Sequence, residues 1–269
     1  MIYHYCATQA FSSIISTKEV WLTDISKLND RSEYKSGHEL ISEILVQKGL
    51  SENTILQGIR SEHLNSKFEI LIGCFSKEGD LGSQWRLYAE DGQGISIGFD
   101  ENAIEQVNLF NRFHENNLQP INSKVMLRSV QYDRDQLVKN ASDLIDRLTH
   151  NNPVLKYEMM AIGLRRLAAI YKDPFFKDER EVRAIIEIDA GLENTYKLDE
   201  RTNSYKEQAS YHKLLTSYGP QNSIKEVIIG PTCSLTMEEI KDMLISNGLS
   251  DVQVKYSTGR GKYRCAPTD

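Results

Sequence analysis

Glu179 and Glu181 stand two residues apart in the run Lys177-Asp178-Glu179-Arg180-Glu181-Val182-Arg183-Ala184-Ile185-Ile186, and Arg183 follows at the same interval. On a strand of period two, Val182, Ala184 and Ile186 point one way while Glu179, Glu181 and Arg183 point the other. Two readings are open. The face is a solvated one that carries a cross-strand salt bridge, or it lines a cleft. In the second case one carboxylate acts on a substrate and Arg183 holds its partner or an anion, since an interior does not take such groups without compensation.

Further chemistry-bearing groups sit upstream. His4 lies between Tyr3 and Tyr5, so on a strand it shares a face with Ile2. Asn29, Asp30 and Glu33 mark a loop-to-helix junction, and Ser83-Gln84-Trp85-Arg86 follows Gly82. Polar and aromatic groups at the ends of several short elements are how a small-molecule site is assembled. Cys6 and Cys74 fall inside apolar runs and read as buried thiols rather than nucleophiles. Cys233 and Cys265 complete a widely spaced set without a C-x-x-C pair, which points away from structural zinc and from a disulfide framework. The histidines at 4, 38, 63, 114, 150 and 212 never fall at i, i+4, so no metal centre is expected. Gly92-x-Gly94-x-x-x-Gly98 leads into an apolar strand and not a helix, unlike a dinucleotide-binding turn, and no Walker A run or G-x-S-x-G occurs.

The elements that must position these groups follow from pattern. A strand is expected at 2–6, a short helix through Phe11, Ile14 and Ile15 with Thr8 as its cap, and a strand over Val20-Trp21-Leu22. A helix from about Ser32 to Lys48 ends at Gly49. Ile70–Phe75 and Gly94–Phe99 read as a hairpin-like pair, and Val125–Tyr132 as another strand. Two helices are expected around Leu137–Leu148 and Val154–Lys172, followed by the carboxylate strand. The last segment reads strand, helix, strand, from Val227 to Tyr256. The polar stretch 192–208 reads as a loop. Together these give one α+β domain over 1–269, with a mixed or antiparallel split sheet, flanking helices and a helical insertion or lobe at about 133–172.

The chain has 269 residues, 40% hydrophobic and 26% charged, with net charge −6, the balance of an ordinary globular protein able to bury a sizeable core. The negative balance disfavours a nonspecific hold on nucleic acid through bulk charge. No apolar run approaches a membrane span and no leader is evident at the start, so the expectation is a cytoplasmic protein without a membrane partner.

Taken together, Tyr3-His4-Tyr5, Phe11-x-x-Ile14-Ile15, Val20-Trp21-Leu22-Thr23-Asp24 and Leu28-Asn29-Asp30-x-x-Glu33 resemble a bacterial family, domain of unknown function 2971. The resemblance continues through Cys74-Phe75-Ser76, Ser83-Gln84-Trp85-x-x-Tyr88, Gly94-Ile-Ser-Ile-Gly-Phe99 and Lys177-x-Glu179-x-Glu181-Val182-Arg183, and closes with Val227-Ile-Ile-Gly230-Pro231 and Tyr263-Arg264. That family supplies no reaction. A second resemblance, to the ADP-ribosyltransferase fold, does. It rests on a first strand bearing Tyr-His, a short helix with paired Ile, a following Val-Trp-Leu, and a late strand bearing Glu. It implies NAD as substrate, with His4 at the ribose, the Ser83-Gln84-Trp85-x-x-Tyr88 stretch framing nicotinamide, Glu181 on the nicotinamide ribose and Glu179 aiding the acceptor. Tyr3, Trp21, Asn29, Asp30 and Arg183 complete the expected NAD-binding set. The implied activity is an ADP-ribosyltransferase acting on a protein or nucleic acid, or an NAD glycohydrolase, as a toxin or antiphage-defence effector beside a defence-system partner protein. A separate reading makes Arg86, Arg183, Arg260, Lys262 and Arg264 a basic groove of a nuclease-like or nucleic-acid-binding module around the carboxylates. Under the enzymatic reading Glu181→Gln removes turnover with little change in melting temperature. Under the salt-bridge reading it costs stability.

Overall fold

The computed structural model describes residues 1–27, 31–50, 68–110, 125–149, 156–189, 199–202 and 208–263. The chain is α+β, and its main sheet is mixed. The strands are β1 (Ile2–Cys6), β2 (Glu19–Asp24), β3 (Phe68–Ser76), β4 (Ile95–Phe99), β5 (Met126–Ser129), β6 (Glu181–Asp189), β7 (Asp199–Thr202) and β8 (Gln208–Leu215), then the short β9 (Ser217–Tyr218) and β10 (Gln221–Asn222), and finally β11 (Ile224–Ile229) and β12 (Gln253–Tyr256). The helices are α1 (Thr8–Thr17), α2 (Arg31–Gln47), α3 (Gly82–Tyr88), α4 (Glu101–Phe110), α5 (Arg134–Thr149), α6 (Lys156–Ala169) and α7 (Met237–Ser246).

β3 organises the sheet. β6 pairs with it antiparallel along its whole length, Phe68 to Ser76, and so occupies one edge. The other edge is shared: β1 meets it at Tyr3↔Ser76, and β2 at Thr23↔Ile72 and Asp24↔Leu71. The sheet therefore forks at Gly73–Phe75. One wing runs β1, β4, β11, β12 and the other β2, β8, β7. Gly73 lies at the fork because a Cβ there would come 2.6 Å from Leu22 Cδ2. The two apolar runs at 70–75 and 94–99 are thus no hairpin. β1 inserts between them, as its own register with β4 (Ile2↔Phe99, His4↔Ile97) requires. The intervening segment is helix α3 and not a connecting turn.

One face of the sheet buries the largest core, where Ile2, Phe75, Ile97, Phe99, Val182 and Val227 pack under α1 and α7 residues such as Phe11, Ile15 and Ile240. α7 carries a full capping box between Thr236 and Glu239, which fixes its start, and it joins β11 to β12 as a parallel unit. The opposite face receives a helical layer. α2, α5 and α6 pack together through Ile41, Leu45, Leu137, Ile145, Met160 and Leu164. Gly37 lets α2 approach α6, since a Cβ there would sit 2.8 Å from the Ala168 carbonyl oxygen. This layer meets the sheet where Ala169 packs on Ile70, Ile72 and Ile185.

Other local expectations need adjustment. α1 starts after Ala7 without a side-chain cap, so Thr8 is its first residue and not its cap. Within 192–208, Asp199–Thr202 is strand β7 and Gln208 opens β8, because the ladder with β8 satisfies backbone that a polar sequence would otherwise leave to water. The rest of that stretch lies outside the described residues, as do Asn29, Asp30, Arg264 and Cys265 and the side chain of Glu33.

Candidate functional site

The strand parity that the sequence gives to β6 holds for Glu181, Arg183 and the apolar Val182 and Ala184, but Glu179 is not on the strand. It ends a 3-10 turn, Pro174–Glu179, capped by Asp173 accepting from the Phe175 amide. Arg180 then takes a left-handed conformation, φ 46°, and its guanidinium pairs with Glu78. The turn nevertheless brings Glu179 back to Glu181 through a cation. Lys172 Nζ donates to Glu179 Oε2 at 2.6 Å and to Glu181 Oε2 at 3.0 Å. Arg183 Nε donates to Glu181 Oε1 at 2.7 Å, while another of its nitrogens donates to the Ala169 carbonyl at 2.6 Å.

This is no solvated face. Glu179, Glu181 and Arg183 are 6%, 5% and 1% exposed. Two carboxylates, one ammonium and one guanidinium make the group formally neutral, which is the condition under which charges are tolerated in an interior. Burial alone would raise the Glu181 carboxyl, but Arg183 and then Lys172 outweigh it and hold it at about 2. Tyr132 receives the Glu181 amide at 2.9 Å, and burial pushes its phenol up to about 12. Nothing in the sequence near Lys172 announces its part. It depends on the turn folding Glu179 back over the end of α6.

The cluster opens toward α3. Tyr88 donates its hydroxyl to Glu179 Oε1 at 3.3 Å, and the residue remains 46% exposed. Burial around the hydroxyl and the neighbouring Glu179 charge raise its pKa. α3 is fixed by Trp85, which is buried edge-on to Tyr5 at 4.9 Å and donates Nε1 to Asp80 at 2.7 Å. Asp80 also accepts from the Ser257 hydroxyl (2.6 Å) and from the Thr258 amide and hydroxyl (both 2.7 Å), tying α3 to the turn after β12. Burial acts to raise the Asp80 carboxyl, but these neutral donors prevail and lower it. Neither Asp80 nor Lys172 was in the expected set. Asp80 had a faint signal only, an acid five residues before a Trp.

Register orders the remaining candidates. Tyr3, Ser76 and Glu181 form one cross-strand row and share a face. His4, one position along, falls on the opposite face with Ile97 and Phe75, its ring 5.7 Å from the latter. It donates Nδ1 to the Cys74 carbonyl at 3.2 Å, because a carbonyl can only accept, and so closes the fork with a side chain where no strand reaches. Burial lowers its pKa and keeps it neutral. His4 and Glu181, both expected at the NAD ribose groups, therefore face opposite sides of the sheet, and the β1 residue on the Glu181 face is Tyr3, whose phenol leans toward Glu226 and is pushed up to about 12 by burial and that charge.

Cys74 shares the face of Glu181 and Arg183, and it is exposed although mid-strand in a central strand. Protein mass around it is still enough that burial, with the Glu181 charge beside it, drives its thiol well above the usual range. The thiol expected to be buried is instead exposed. Cys6 is buried as expected. The β2–β3 ladder ends at Thr23↔Ile72, and two residues further along β2 the same parity sets Trp21 on the face of Cys74, where it is 45% exposed. Ser83 is exposed on α3, and Gln84 is buried there.

The structure thus gathers Glu179, Glu181, Arg183 and Tyr88, aligns Tyr3, Trp21 and Cys74 on the same face, and holds Trp85 as an internal support. Of the suggested basic groove, Arg183 is turned inward, Arg86 lies 3.9 Å from Asp91, and Arg260 covers the Tyr256 ring at 4.1 Å. Among the described residues, no three His, Cys, Asp or Glu side chains gather as a metal ion would need. No described helix is long and apolar enough to cross a membrane.

Residues 84–184 match a family model described as protein of unknown function (DUF2971), so the likeness to that family is borne out over this span. The span takes in Tyr88, Lys172, Glu179, Glu181 and Arg183 and leaves β1, β2 and Asp80 outside. No curated protein and no solved structure matches the chain.

Proposed function

From the premise that the stretch 84–184 belongs to the DUF2971 family, we propose that this chain consumes NAD, as an ADP-ribosyltransferase on a macromolecular acceptor or as an NAD glycohydrolase. The observation that carries the reading is the pair of water-shielded carboxylates, Glu179 and Glu181, bridged by Lys172 beneath the half-exposed ring of Tyr88. The split sheet and a Glu-bearing late strand next to the fork support an ADP-ribosyltransferase-like fold.

In this mechanism the bond from the ribose C1′ to the nicotinamide nitrogen breaks, and its electron pair leaves with nicotinamide. The ribose is left as an oxocarbenium-like cation. An ionised carboxylate at the ribose is worth more in that transition state than in the ground state, which is what lowers a barrier. Arg183 and Lys172 keep Glu181 ionised at any physiological pH. The group as found is neutral, so the substrate must draw one cation aside. Lys172 is that cation: it bridges both acids on a flexible stem, whereas Arg183 is also anchored to the Ala169 carbonyl. Glu179, once released, takes the proton of the attacking hydroxyl, and the acceptor oxygen bonds to C1′. The Tyr88 ring offers a surface on which nicotinamide stacks as it departs. Water as acceptor makes the same site a glycohydrolase. A toxin or antiphage-defence role, in the cytoplasm and with a defence partner, accords with NAD depletion as an outcome.

Purified chain incubated with labelled NAD, with and without cell extract, tests the reading. Released nicotinamide or a labelled macromolecule is the expected result. A folded protein that yields neither overturns it.

A further inference from the structure

Four strands carry one face of the sheet past the acid cluster, and register orders them into rows. Trp21 pairs with Lys213 across β2 and β8, and Cys74 pairs with Arg183 across β3 and β6. Trp21 stands at the fork, two residues beyond the last β2–β3 pair, and its parity sets it on the same face as Arg183. Its ring stacks on Tyr211 from the next row of β8, centroids 4.6 Å apart and planes 32° from parallel. A tryptophan backed by a tyrosine in this way, and still 45% exposed, offers a rigid flat face to the outside. Lys213 is the cross-strand partner of Trp21, and its ammonium lies 3.9 Å from Glu19 Oε1. Cys74, exposed on that same face, is the cross-strand neighbour of Arg183.

Resting on the NAD-consuming reading above, we infer that the Trp21–Tyr211 pair is the subsite for the adenine ring of the dinucleotide, with Lys213 facing its phosphate and the chain of the ligand crossing Cys74 toward Tyr88. The chemistry selects this occupant. A flat heteroaromatic ring gains stacking energy on an indole regardless of its hydrogen-bonding edge, and a phosphate close to that ring meets the lysine. The tyrosine behind the indole holds it in one orientation, so little rotamer freedom is lost on binding. Tyr211 and Lys213 thereby join the site from β8, which no motif in the sequence marks.

The test is titration of the full chain with AMP and, separately, with nicotinamide mononucleotide. The chain has two tryptophans, and Trp85 is buried under α3, so quenching of emission by AMP reports Trp21. AMP is expected to quench the wild type, to lose that quench in Trp21→Ala, and to bind Trp21→Ala roughly tenfold more weakly by calorimetry. Tyr211→Ala weakens AMP in the same direction by a smaller factor, while nicotinamide mononucleotide keeps its affinity in both variants. Unchanged AMP affinity in a folded Trp21→Ala protein, or no AMP binding by the wild type, overturns the subsite. So does equal weakening of both mononucleotides. NAD consumption with an unaltered KM in Trp21→Ala overturns the subsite and leaves the catalytic reading standing. AMP binding through Trp21 in a chain that never releases nicotinamide does the reverse.

Discussion

Glu181 and Asp80 are both held below the ordinary carboxylate range, and by opposite means. Asp80 is satisfied by an indole, two hydroxyls and an amide, all neutral and all fixed by local structure. Glu181 is satisfied by two cations, one of which it shares with Glu179. Neutral donors leave a carboxylate with its full charge and nothing to exchange, which suits a knot between α3 and the C-terminal turn. Paired cations leave a neutral group whose charge would reappear if one of them were drawn off, which suits a site that must respond to a ligand.

The largest effect on this contrast is expected from Arg183→Met. It strands Glu181 with half its compensation and should cost about 3–5 kcal/mol in urea unfolding. A loss below about 1 kcal/mol would mean the guanidinium is not needed to hold the acid. Asp80→Asn removes acceptor capacity from a set of neutral donors, and is expected to cost about 1–3 kcal/mol with a change in Trp85 emission. Glu181→Gln should fall between the two in stability and should also remove turnover, so a melting temperature left unchanged is no longer anticipated. Stability lost with NAD turnover intact would leave Glu181 a purely structural residue.

Acid unfolding separates the same pair. The folded-state carboxyl of Glu181 lies near 2, below its ordinary 4.5. The unfolded chain therefore binds the proton first as pH falls, and the stability this group contributes is whole above 4.5 and fades as pH drops through about 2. The slope of unfolding free energy against pH over that window should shrink in Glu181→Gln, and an unaltered slope would assign acid sensitivity elsewhere. The smallest effect is expected of Tyr88→Phe, whose 3.3 Å bond to Glu179 is worth about 0.5–1 kcal/mol. Its use is kinetic: a change in KM for NAD with the melting temperature held would place the hydroxyl at the substrate.

Much of the frame was legible from residues alone. The alternation of Val182, Ala184 and Ile186 marked the side of β6 that joins the main core, and the strand, helix, strand order at the end of the chain followed from apolar period. The fork was not, because which strand lies between β3 and β4 is decided by long-range pairing that no local pattern encodes. His4 illustrates the limit at a single residue. Its parity with Ile2 was plain, but the face that parity selects depends on where Ser76 and Glu181 stand in register. Lys172 and Asp80 escaped for the same reason, each acquiring meaning only from partners brought in by turns.

The left-handed backbone at Arg180 carries a lesson for reading other chains. Glu-x-Glu here is not a straight ribbon with both acids on one side. It is a reversal followed by an extension, and the central position decides which geometry is adopted. Where a related sequence places asparagine, aspartate or glycine between the two glutamates, the same convergence is available at low cost. Where it places valine or isoleucine, the backbone stays extended and the first acid is carried away from the second.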